Sequence, residues 1–422
     1  MRMHWWWLLA IGLVVPAATR GQDNTDKDPA RQFADAQEFL KNDKPGEALD
    51  SIKKALDQDP KNERYLAFAS NAARLAGKYA LGVQFAEQAI KINDQVAAYH
   101  VLLAFNACRD RDLDLCRAAC KKALALSAQS LDQESYRELL LLNDLVRVRK
   151  LKFSWPLNAK KGLARKGSYP VAVPPEKIKG QSATYDVTGA RSFKVAKEGV
   201  NSVLQVVPDP KQDMDLILQV TLDPYNYKPE FTKYKKAPIP RDIQTFLGPS
   251  EAINPKSVTL TTIVKDLKDD SAIITVENIL AWQKKNLKYK LDEKATNKSD
   301  FDSVDEVVKR GEGECRAWST LFTGLCRAAG VPARHFWGMI LLVPDDKNPK
   351  GGIRSHVWAE VYLTGAGWVP VDPQDPNLFG FLPNTYVRMY MDMRRSKTSL
   401  DNLPVLNLLS MGSEGFRFES VK

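Results

Sequence analysis

The chain has 422 residues, a formal charge of +10, 44% hydrophobic and 27% charged residues, enough for two or three domains with real cores. The composition is that of ordinary globular domains, and no segment past the N-terminus is apolar and long enough to span a bilayer. The positive balance favours acidic surfaces or polymers but does not by itself argue for nucleic acid.

Arg2 precedes an apolar run, Trp5 to Val15, too short to cross a bilayer comfortably. Small residues come next in Pro16-Ala17-Ala18-Thr19-Arg20-Gly21. This predicts a secretion signal over residues 1–22 and a mature chain in a periplasm or outside the cell, without a membrane span. Five cysteines are an odd number for an oxidising compartment, so at least one thiol stays free or pairs between chains. A bond from Cys108 to Cys116 or Cys120 is one reading, and small core fillers are the other. Beyond His4, the histidines are His100, His335 and His356, with no zinc spacing and no calcium loop, so neither metal nor cofactor is expected.

Residues 28–150 repeat. Lys53-Lys54-Ala55-Leu56, Glu87-Gln88-Ala89-Ile90 and Lys121-Lys122-Ala123-Leu124 align at a period of 34, as do Ala48, Gly82 and Cys116, and Ile52, Ala86 and Cys120. Small residues at those offsets let antiparallel helices approach closely, and Pro60 stops the first unit. The pattern resembles three degenerate tetratricopeptide (TPR) repeats with a closing helix at about Gln133 to Arg149. Such a resemblance implies a concave surface for a peptide or protein partner; a helical spacer or dimer contact is the plainer reading.

Between Arg147 and Lys179 lysine and arginine dominate, Glu176 is the single acid, and four prolines interrupt. This reads as a basic, proline-rich connector opening a segment, 151–250, that also holds β-like runs at Ser192–Val195, Val203–Val207 and Leu216–Val220. Asp223 to Pro255 reads as an extended approach to the C-terminal domain.

The residues suited to chemistry lie in that domain. Cys315 comes after the turn Gly311-Glu312-Gly313-Glu314 and opens a helix whose Leu321, Phe322, Leu325, Cys326 and Ala329 form one apolar stripe, ended by Gly330-Val331-Pro332. A cysteine there gains thiolate character from the helix dipole. Val357, Ala359, Val361 and Leu363 alternate with His356, Trp358, Glu360 and Tyr362, a strand; Thr364 to Gly367 turns, and Trp368 to Asp372 returns. A thiol, an imidazole and a carboxylate on separate elements are the parts of an acyl-transfer site, with Asp372 orienting His356 and Asp375 a nearby competitor. Trp358, Trp368 and Arg334 read as packing residues. The backbone N–H of Cys315 is the natural first oxyanion donor; Trp282 and Asn286, with Tyr289, are the candidates for a second.

Gly313-Glu314-Cys315-Arg316, Leu325 to Arg334, His356 to Tyr362 and Gly367 to Asp372, with Ile279 to Tyr289 upstream, resemble the transglutaminase-like superfamily, a branch of the papain-like thiol fold. The resemblance implies Cys315 as nucleophile, His356 as base and Asp372 as orienting acid. The expected fold class is multidomain: an all-α TPR-like repeat, then an α+β transglutaminase-like domain, 251–395, with a central helix on an antiparallel sheet, and a C-terminal tail, 396–422. The expected function is exported cleavage of a peptide or related amide. Alternatives are protein-glutamine acyl transfer (crosslinking) and a non-catalytic TPR scaffold. Secretion and the lack of a basic aromatic motif oppose nucleic acid as a partner.

Overall fold

The computed structural model describes residues 28–126, 131–157, 169–198, 201–209, 211–226, 238–250, 252–290, 303–342, 352–391 and 417–421. The expected signal segment, 1–22, lies outside them. The chain divides into two units, residues 1–147 and 148–422.

The first unit is a run of antiparallel helices: α1 (Pro29–Lys41), α2 (Pro45–Gln58), α3 (Glu63–Leu75), α4 (Tyr79–Ile92), α5 (Ala97–Arg109), α6 (Leu113–Leu126) and α7 (Gln133–Val146). Local chemistry sets their starts. Asp28, Asn62 and Asp132 cap α1, α3 and α7 with side-chain oxygens on first-turn N–H groups, and Pro29 and Pro45 stand where no N–H is needed. The aligned small residues are buried where helices cross. Ala48, Cys116, Ile52, Ala86 and Cys120 are fully enclosed. Cys108, Cys116 and Cys120 are free thiols, with Cys116 hydrogen-bonded to the other two.

Gly82 shows why the repeat needs a small side chain. Buried Asn106 on α5 donates to the Ser70 hydroxyl at 3.1 Å and the Leu102 carbonyl at 2.9 Å, while Ser70 donates to the Gly82 carbonyl at 2.8 Å. A Cβ on Gly82 would meet Asn106 Oδ1 at 2.1 Å. Gly82→Ala is therefore expected to destabilise the helical unit by about 1–3 kcal/mol. Urea unfolding of the full chain, monitored by far-UV circular dichroism, checks this; an unmoved helical transition would mean the interface yields freely.

The second unit opens with strands β1 (Arg149–Leu157), β2 (Tyr169–Val173), β3 (Lys177–Ile178), β4 (Gln181–Thr188), β5 (Ala190–Glu198), β6 (Asn201–Pro208), β7 (Met214–Leu222) and β8 (Tyr225–Asn226). The connector reading of the basic stretch is corrected here. Leu151, Phe153, Trp155 and Leu157 alternate inward along β1 while Lys150 and Lys152 alternate outward, so these charges are the solvent face of a strand, while Lys160, Lys161, Arg165 and Lys166 lie outside the described residues. One sheet has the order β16-β1-β7-β4-β3, the other β2-β6-β5, where β16 is Arg417–Val421. The described end of the expected tail is thus an antiparallel strand on β1.

Next come α8 (Arg241–Gln244), α9 (Val258–Lys265), α10 (Ala272–Asn286), β9 (Lys288–Tyr289), α11 (Val304–Arg310), β10 (Glu312–Gly313), α12 (Cys315–Ala328), β11 (Ala333–Leu342), β12 (Gly352–Leu363), β13 (Gly367–Val371), β14 (Phe381–Leu382) and β15 (Tyr386–Met391). Asp223 to Pro255 is only partly an extended approach, since β8 pairs with β14 and α8 forms within it. The antiparallel sheet β13-β12-β11-β15 packs against α12: Leu321, Phe322, Leu325 and Cys326 share a core with Ala359, Val361, Val369 and Val371.

Two features join this sheet to the β-strands before it. Met339, Leu341, Val387 and Met389 enter the core formed by β1, β4 and β7. The backbone of β15 is also covered by two buried amides. Gln181 accepts from Arg388 N and donates to Arg388 O, both at 2.8 Å; Asn201 accepts from Met391 N at 2.7 Å and donates to Met391 O at 3.2 Å. Each side chain stands in for a neighbouring strand and protects an edge that would otherwise offer unpaired groups.

A charged cluster is buried in the same sheet. Glu360, fully enclosed, accepts from Arg334 at 2.6 Å and from Arg388 at 2.7 Å. Arg334 lies over the Trp368 ring at 3.8 Å.

Candidate active site

The strand pair β9–β10 brings the site together from behind. It is parallel, with Tyr289 opposite Gly313, so Tyr289 arrives beside the residue that leads into α12. Gly313 is required by close approach: a Cβ there would meet the Ala317 Cβ at 2.4 Å. Glu314 caps α12, accepting from Arg316 N at 3.1 Å, and Cys315 is the first helical residue. The helix is docked onto β12 by Ser319, whose hydroxyl donates to the Val357 carbonyl at 2.8 Å. A Val357 backbone contact also favours the thiolate of Cys315, so the sulfur lies against the residue next to His356.

His356 is 3% exposed. Its ring stacks on Trp358, with centroids 6.0 Å apart and planes at 19°, and meets the edge of Tyr386 at 5.9 Å. The register leaves Asp372 just beyond the last β12–β13 pair, Ala359 with Val371, and from there its carboxylate reaches back to His356. His356 Nε2 and Asp372 Oδ2 are 2.8 Å apart. Tyr386 donates its hydroxyl to the same oxygen at 2.8 Å, and Gln374 N donates to Oδ1 at 3.0 Å. Burial first, and then the Asp372 charge, pushes the Tyr386 phenol well above its ordinary range, so it stays a donor. With Nε2–H committed to Asp372, Nδ1 of His356 is left as the basic nitrogen.

Cys315 is partly buried, and its thiol donates to Glu314 Oε2 at 3.0 Å. Burial, and then the adjacent Glu314 carboxylate, raises its pKa above that of an ordinary thiol.

The expected oxyanion donors Trp282 and Asn286 sit at the end of α10. Asn286 is exposed and donates to the Trp282 carbonyl at 2.7 Å, at the end of its own helix. Trp282 packs against the core under α12. Tyr289 is 47% exposed, and burial first, then its nearness to Cys315, where a thiolate would oppose a phenolate, raises its pKa. Asp375 bridges to the Asp372 backbone through its N–H at 3.0 Å. Glu314 and Tyr386 were missed by sequence reasoning. The first stood beside the cysteine in plain view, and the second had no local signal. Among the described residues, no group of three or more His, Cys, Asp and Glu side chains is arranged to hold a metal ion.

Residues 261–373 match the model of the transglutaminase-like superfamily. An uncharacterized protein of Haemophilus influenzae is 31% identical over 152 residues, a match that takes in 32% of this chain and 40% of that relative's length. Among solved structures, a candidate cysteine protease from Cytophaga hutchinsonii aligns at 16% identity with a TM-score of 0.43, over 65% of this chain and 88% of that one. The first TPR domain of the human RPAP3 protein aligns at 18% identity with a TM-score of 0.25, over 27% of this chain and 88% of that domain. The antiparallel helix series with its 34-residue repeat has the pattern of a TPR-like unit, and within the C-terminal α+β region residues 261–373 carry the transglutaminase-like match.

Proposed function

We propose that the transglutaminase-like domain at residues 261–373 makes this protein a thiol enzyme that cleaves a peptide or related amide, and that the chain is exported, with its helical repeats docking a protein partner or substrate. The observation that carries the reading is the buried pair of His356 Nε2 and Asp372 Oδ2 at 2.8 Å, set beside the N-terminus of a helix that begins with Cys315. In the proposed reaction the Cys315 sulfur attacks the amide carbon and its proton passes to His356 Nδ1. Asp372, held by Tyr386 and Gln374 N, stabilises the imidazolium. The carbonyl oxygen takes the developing charge, with the Cys315 N–H and the Tyr289 hydroxyl as donors. His356 then gives its proton to the leaving amine, the C–N bond breaks and a thioester remains. Water attacks the thioester through the same base, releasing the acid and restoring the thiol.

An amine in place of water would give transfer instead of hydrolysis from the same thioester, a choice set by the cleft and not by the three residues. A glutamine-containing peptide, incubated with the full chain and a labelled primary amine, separates the two. Release of ammonia without label is the expected result. Stable amine incorporation outpacing hydrolysis replaces the reading with acyl transfer. If a wider panel of amide peptides also gives neither product, while residues 28–150 still account for partner binding in the Cys315→Ala chain, the scaffold reading takes its place.

A further inference from the structure

Glu314 is not needed by the chemistry above, yet it touches the reacting atom. Its Oε2 accepts from the Cys315 thiol at 3.0 Å and from Arg316 N at 3.1 Å, and its Oε1 accepts from Arg316 Nε at 3.2 Å. The carboxylate therefore sits on the first turn of α12, where free N–H groups would otherwise favour an anion. That is also where a thiolate, or the oxyanion of a substrate bonded to it, would draw on the helix. The other charged and titratable groups that act on the sulfur are Tyr289 from β9 and Asp372 from the end of β13, with Arg316 from α12 on Glu314, Arg354 from β12 near Tyr289 and His356 from β12 on Asp372.

We infer that Glu314 is a further catalytic residue: in the resting enzyme it takes the hydrogen bond of the Cys315 thiol and the Arg316 N–H of the helix terminus, next to the Cys315 N–H on which the substrate's oxyanion draws, so a productive substrate must turn its carboxylate away. The inference rests on the proposed thiol chemistry. Three observations converge on it. A thiolate at 3.0 Å from an ionised carboxylate is disfavoured by like charge. The same oxygen blocks a backbone donor of the helix. Arg316 already holds the far oxygen, and its guanidinium, with the side chain 24% exposed, gives the displaced carboxylate a partner. The arrangement limits reaction with water-borne electrophiles until a carbonyl group competes for the helix terminus.

The test uses iodoacetamide labelling of the full chain from pH 5 to 9, with the Cys315 peptide quantified by mass spectrometry, so no substrate need be known. Glu314→Gln removes the charge at nearly constant shape. It is expected to move the labelling profile down by about one pH unit or more, making labelling about tenfold faster at pH 6. Adding His356→Ala to Glu314→Gln is expected to undo that gain, because the released proton has lost its acceptor. Glu314→Asp covers the case of a glutamine variant that fails to fold. It keeps a capping side chain but withdraws the oxygen from the sulfur, and a smaller acceleration is expected. Profiles that coincide for wild type and both variants, or slower labelling in either, overturn the inference. Failure of the underlying reading looks different: His356→Ala then leaves labelling unchanged in both the wild-type and Glu314→Gln backgrounds.

Discussion

His356→Ala is expected to lower kcat/KM for amide turnover by about 10²–10⁴-fold, the usual contribution of a positioned general base, and Cys315→Ala to abolish the thioester route. The geometry gives the reason for so large an effect. The Cys315 thiol donates to Glu314 at 3.0 Å, and burial and that carboxylate disfavour the thiolate, so in the proposed reaction the base has a proton to remove. His356 Nδ1 is the base the geometry leaves for that step, because Nε2 is 2.8 Å from Asp372. Asp372→Asn is expected to cost nearly as much, since an amide in place of the carboxylate disturbs the tautomer and no longer stabilises the imidazolium. Steady-state kinetics on the amide identified in the peptide assay checks all three. A His356→Ala enzyme within tenfold of wild type would mean that the buried pair is structural only.

Glu360→Gln is expected to destabilise the second unit by about 3–5 kcal/mol. Glu360 is fully enclosed and is shared by Arg334 at 2.6 Å and Arg388 at 2.7 Å. Arg388 is itself 2% exposed, so losing the anion leaves a buried guanidinium without its counter-charge. Breaking such a pair from one side costs more than replacing both partners. The double change Glu360→Met with Arg388→Met is therefore expected to regain part of the loss. Chemical denaturation of the full chain, monitored by tryptophan fluorescence, measures both. The cluster would be of minor importance if Glu360→Gln stayed within about 1 kcal/mol of wild type, the range of an exposed pair.

Much of the site was legible because its signals are local. A glycine-rich turn, a cysteine and an apolar stripe at helical spacing describe the start of α12 in a few residues. Alternation from His356 to Leu363 and the Thr364–Gly367 turn describe a hairpin, and the small residues at period 34 describe paired helices. Other features were hidden by competing signals. The alternation of Leu151, Phe153, Trp155 and Leu157 was present, but the lysines between them and the prolines around them pointed to a connector. Trp282 and Asn286 drew attention on the helix before Cys315, whereas the short strand after that helix pairs Tyr289 with Gly313.

The sequence by itself determined the helix that begins at Cys315, the hairpin from His356 to Asp372, which of their faces are apolar, and that a thiol, an imidazole and a carboxylate come in that order. Periodicity and residue type carry that information within about a dozen positions of each residue. Only the tertiary structure decided where the protons and charges sit. The β12–β13 register put Asp372 on His356, and Tyr386 came from a third strand to hold it. Gln181 and Asn201 reached β15 across 207 and 190 residues of chain, and Glu314 turned onto the sulfur in preference to solvent. These are hydrogen bonds between groups with no periodic relation along the chain, so strand register and closure of the core select them.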